Sequence, residues 1–109
     1  MLDTDFKFNE VNPLLSQISA DCSKVQFKNI FNNANGGVAL IAFKSGQKLD
    51  IHETPAEIMV NVLEGEVIFT MLGKPHIIRT GEFILMGNGV PHSVEAKKDS
   101  KIMLVKIRP

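Results

Sequence analysis

From Val25 onward, short apolar runs alternate with clusters of turn residues. In "KVQFKNIF" (24–31) Val25 and Phe27 alternate with polar neighbours, and "NNANGG" (32–37) follows as a turn cluster. "VALIAF" (38–43) ends at "KSGQ", "IMVNVL" (58–63) at "EGE", and "VIFTML" (67–72) at "GKP". "HIIR" (76–79) ends at "TGE", "FILM" (83–86) at "GNG", and "IMLVKI" spans 102–107. Runs this short, punctuated by glycine and polar turns, predict an all-β sandwich or barrel. Upstream, "NPLLSQISADC" (12–22) predicts a helical turn. Asn12 would be its N-cap and Pro13 its first residue, with Leu14, Leu15 and Ile18 on one face. Without internal repeats or low-complexity linkers, residues 1–109 are expected to form one domain.

Neighbouring side chains on a strand point to opposite faces, so polar residues set the phase of each run. Outward Arg79 turns His76 and Ile78 inward, and outward Glu95 and Lys97 turn His92 and Val94 inward. In "IHETPAEIMVNVL" (51–63), Glu53 and Asn61 place positions 52, 54, 58, 60 and 62 inside. Glu57 is then turned away unless a bulge intervenes. Phe69 and one of Leu85 or Phe83 complete the expected inner set. A single inward histidine is most often a hydrogen-bonded interior residue. Here all three histidines of the chain, His52, His76 and His92, fall on inner faces.

Charge and cysteine content narrow the setting. Twelve Lys plus Arg balance twelve Asp plus Glu, which gives no basic footprint for nucleic acid or an anionic membrane. Cys22 is the one cysteine, so no internal disulfide can form, and a cytoplasmic location is expected. The start of the chain lacks the basic and apolar regions of a signal peptide, and "VALIAF" is too short to cross a bilayer. There is no Trp or Tyr to stack on a sugar or base, and "GNG" leads into a strand where a phosphate loop would need a helix.

These residues resemble the cupins, small double-stranded β-helix (jelly-roll) barrels. In the first cupin motif a glycine is followed, after five residues, by His-x-His, then by a glutamate and a second glycine. Gly46, His52 and Gly65 occupy their places, with Thr54 at the second histidine and Ile58 at the glutamate. The second motif is matched by Gly81, Gly89 and His92, with Gly87 where the family has proline and Ala96 where it has asparagine. The resemblance covers about 38–107 and leaves 1–24 as an N-terminal extension. "HETP" (52–55), together with a histidine on the strand before the second motif, is similar to a subgroup of small cupins.

Metal-dependent cupins use the two motif-one histidines, the glutamate and the motif-two histidine as ligands, so the resemblance carries over His52 and His92 only. Strand phase adds His76. Three imidazoles plus an open position would suit zinc, nickel, iron or copper. Thr54, Ile58, Val60 and Ile78 are the expected cavity lining, mostly apolar and poor in acids, bases or nucleophiles. Two functional classes follow. One is a binding module with an apolar cavity whose histidines hold a divalent metal or a small molecule. The other is a small mononuclear metalloenzyme, oxygenase- or isomerase-like, with three histidine ligands. A homodimer is expected, because Met59, Met86, Phe69 or Met71 and the Phe27–Phe31 segment offer apolar surface beyond one core.

Overall fold

The computed structural model describes residues 1–109. Nine strands form two antiparallel sheets: β1 Gln26–Asn33, β2 Gly36–Phe43, β3 Lys48–His52, β4 Glu57–Glu64, β5 Glu66–Met71, β6 Lys74–Arg79, β7 Phe83–Met86, β8 His92–Ala96 and β9 Ser100–Ile107. One sheet has the order β1-β2-β9-β4-β7 and the other β3-β8-β5-β6. Two such sheets, each apolar on its inner face, give the jelly-roll barrel expected from the runs.

The core lies between the sheets. Ile58, Val60 and Val62 of β4, Val67 and Phe69 of β5, and Val94 and Ala96 of β8 are buried in one cluster with Ile41, Phe43, Ile78 and Ile102. Strand phase therefore read β4, β6 and β8 in the right sense. In β7 the choice of Leu85 or Phe83 as inward is corrected: both are largely exposed, and Met86 with Ile84 meets the core. "FILM" contains no polar residue to set its phase, and pairing Met86 with Ile58 across β4 settles it.

Two tight connections, one crossing between the sheets and one a hairpin, show why particular residues stand at the turns. Between β4 and β5, Gly65 has φ +100°, and a Cβ there would collide with Ser100 Oγ and the Asp99 carbonyl. Buried Ser100 accepts a hydrogen bond from Glu66 N–H (3.0 Å) and donates to the Lys98 carbonyl (2.7 Å), tying this turn to the start of β9. Between β5 and β6, Leu72 (φ 52°) and Gly73 (φ 76°) form a two-residue loop with both φ positive, as a type I′ turn requires.

The N-terminal segment covers part of the outer face of the larger sheet. Ile18 is buried with Leu40 and Ala42 of β2, and Asp3 bridges Asn32 of β1. The expected helical turn shrinks to one 3₁₀ turn, Leu15–Gln17, flanked by Leu14, with no side-chain cap. Asn12 is not the cap: its amide donates to the Glu10 carbonyl. Leu14 and Leu15 stay exposed, so of the predicted apolar face only Ile18 is anchored.

Candidate functional site

At one end of the barrel the sheets part around a cavity of about 200 Å³. Its apolar walls include Leu49 of β3, Ile58 and Val60 of β4, Phe69 of β5, Val94 of β8 and Leu104 of β9. Four polar side chains meet there: His52, Thr54, His92 and Lys106.

Register brings the two histidines together. His52 at the end of β3 pairs directly with His92 at the start of β8, after a register shift between Leu49 and His52. Their ring centroids are 4.0 Å apart at 61°. Each ring is fixed by a backbone carbonyl two residues earlier: His52 Nδ1 lies 2.9 Å from the Asp50 oxygen and His92 Nδ1 2.9 Å from the Val90 oxygen. A carbonyl only accepts, so Nδ1 carries the proton in both, and each neutral ring keeps its Nε2 lone pair for another partner. Phe69 stacks on His92 at 5.4 Å and 14°. His52 is exposed at the rim while His92 is buried. That burial, foremost, holds the His92 pKa below the ordinary histidine value. Its hydrogen bond to Val90 opposes the shift, and the nearby His52 and Lys106 add to it.

The three-imidazole centre expected from strand phase is not assembled. His76 is on the inner face of β6, directly opposite Phe69, but outside the cavity lining. Strand β5 separates β6 from β8, so His76 stands two strand spacings, about 10 Å, from the strand that carries His92. Phase reports the face of a sheet and not the distance across it. Ile78, paired with Val67, belongs to the core and not to the cavity wall. Thr54, Ile58 and Val60 are among the residues that line the cavity. Glu57 faces the outside, in a groove with Met59, Leu85 and Ile107.

Lys106 is the cavity-lining residue that the motifs do not mark. In "IMLVKI" it follows Ile102 and Leu104 at intervals of two, so its side chain leaves β9 on the same inner face. It is half-buried, pairs across the ladder with Ile58 of β4, and takes part in none of the three ion pairs.

The donor set does not fit a protein-built metal centre. Two imidazoles and a threonine hydroxyl fall short of the three protein ligands typical of catalytic sites, and the cavity lining contains no carboxylate. No group of three or more His, Cys, Asp or Glu side chains is placed to hold a metal ion.

The cupin-domain family matches residues 39–107. Among solved structures, the chain is similar to a conserved protein of unknown function from Streptococcus pyogenes (21% identity, TM-score 0.89, covering 97% of this chain and 93% of that one). It is similar also to a cupin superfamily protein from Desulfitobacterium hafniense (16%, TM-score 0.88, 97% of each chain). A cupin 2 conserved barrel domain protein from Leptotrichia buccalis is 29% identical with a TM-score of 0.83, over 87% of this chain and 46% of that one. No curated protein matches the chain in sequence. Motif spacing, jelly-roll topology and the family match over most of the chain agree: the protein belongs to the cupin family.

Proposed function

We propose that this cupin is a small-molecule binding module whose ligand sits between the sheets against His52 and His92. The observation behind this reading is the pairing of two imidazoles, each with Nδ1 committed to the backbone and Nε2 free, at the polar end of an apolar cavity. Apolar walls with a few convergent polar groups are the usual make-up of a small-ligand site. At about 200 Å³ the cavity is below the ~300–1,000 Å³ of drug-sized sites, so the ligand is about the size of one ring. Titration of ¹⁵N-labelled protein with single-ring fragments tests this. Amide shifts concentrated at Leu49, Thr54, Val94 and Leu104 support it. Shifts confined to the outer groove near Leu85 and Ile107 contradict it.

A divalent transition metal (zinc, nickel, iron or copper) is the weaker alternative, favoured by the same Nδ1–carbonyl anchoring that metal-bound histidines show. Such an ion would have two imidazoles here, and a metalloenzyme would need a third protein ligand. Stoichiometric zinc retained through desalting, and lost in His52→Ala and His92→Ala, would favour it.

The protein is further proposed to be a homodimer. Phe83, Leu85 and Ile107 are 60%, 68% and 64% exposed. Phe83 and Leu85 are on β7, an edge strand of the larger sheet, and an apolar patch beside an open edge suits a second copy of the same face. No helix is long and apolar enough to cross a membrane. The exposed free thiol of Cys22 fits the proposed cytoplasmic setting.

A further inference from the structure

We infer that the cavity selects a small organic carboxylate, whose charged end is held by Lys106, His52 and Thr54 and whose apolar body rests on Val60, Phe69 and Leu104. This deepens the proposed binding function and rests on it.

Three features carry the inference. Lys106 is the one permanently charged side chain in the lining, and it has no acidic partner there or elsewhere in the chain. The carboxylates near the site in sequence stand outside the cavity lining: Glu53, between His52 and Thr54, is exposed, Glu57 lines the outer groove, and Asp50 lines the groove on the outer face of the smaller sheet. Lys106 is half-buried and has no counter-ion, and a bound anion is the group that would pair with it. The remaining polar groups suit the same ligand. The Thr54 hydroxyl can donate, and an imidazole whose Nδ1–H is already engaged donates from Nε2 on protonation. A metal cation would meet like charge at Lys106, and a neutral ligand would leave the ammonium unpaired. The apolar walls favour one carboxylate on a hydrocarbon body over a multiply charged phosphate, which needs several donors at once.

The test is isothermal titration calorimetry with benzoate and its neutral isostere benzamide, on wild type, Lys106→Met and Lys106→Arg, each checked for an unchanged melting temperature. The expected result is that benzoate binds wild type more tightly than benzamide. Lys106→Met should weaken benzoate about tenfold or more and leave benzamide unchanged, and Lys106→Arg should retain benzoate. Equal affinity for the two probes, or benzoate binding within twofold of wild type in Lys106→Met, overturns carboxylate selection and leaves the small-ligand cavity standing. If neither probe binds wild type, both the selection and the cavity reading fall.

Discussion

Lys106 stands directly across the β4–β9 ladder from Ile58, and both line the cavity that holds the His52–His92 pair. Ile58 occupies the place where the cupin motif carries a glutamate. An apolar residue there, with a cation as its cross-strand neighbour, reverses the charge of this wall. The site is thereby poor for a cation and suited to an anion.

The same neighbours act on His92. Burial, foremost, with His52 and Lys106 as the charged or titratable side chains facing it, keeps its folded-state pKa below 6.5. Below about pH 6.5 the unfolded chain takes up a proton that folded His92 resists, so this group's contribution to stability falls as pH drops through that value toward the folded pKa. Proton NMR of the imidazole should show His92 titrating below an exposed histidine and moving upward in Lys106→Met. An unchanged value in that variant would place the ammonium away from the ring.

Phe69 joins core and site, since one ring packs among Val67, Val94 and Ile78 and also stacks on His92. Phe69→Ala should destabilise by about 3–5 kcal/mol, read by chemical denaturation. A loss below about 1 kcal/mol would mean that the ring is not part of the packed core.

The Gly65 turn gives a graded test of backbone strain. At Gly81 (φ +85°) a Cβ would meet open space, whereas at Gly65 it would strike Ser100 and Asp99. Gly65→Ala should therefore cost more than Gly81→Ala, by about 1 kcal/mol or more. Equal losses would show that the Ser100 contact can yield. In the neighbouring hairpin, exposed Leu72 at φ 52° should gain roughly 0.5–1 kcal/mol on replacement by Asn, which tolerates this conformation better.

The outer patch predicts a particle of twice the 12.0 kDa chain mass by light scattering. The double variant Phe83→Lys, Leu85→Glu should return it to one chain while keeping the melting transition. A wild-type mass near one chain at micromolar concentration would remove the dimer.

The strands were legible because alternation of period two runs through most of them, and Glu53, Asn61, Arg79 and Glu95 fixed the phase. Where a run had no polar residue, as in "FILM", phase was undetermined and pairing decided it. Met86 and Phe69 thus proved core residues and not dimer surface, while Phe83 and Leu85 took the outer face. The His52–His92 pair was legible from motif spacing. The position of His76 was not, because strand order places β5 between β6 and β8. Lys106 was readable from its two-residue spacing after Ile102 and Leu104. A lysine in phase with buried positions is a stronger signal than its neutral surroundings suggest.

The most direct test follows the imidazole Cε1–Hε1 resonances of all three histidines during a benzoate titration of wild type. The signals of His52 and His92 should move together to saturation while that of His76 stays fixed. Movement of His76 alongside them, or no movement of the His52–His92 pair at saturating benzoate, would contradict a ligand site built on His52, His92 and Lys106.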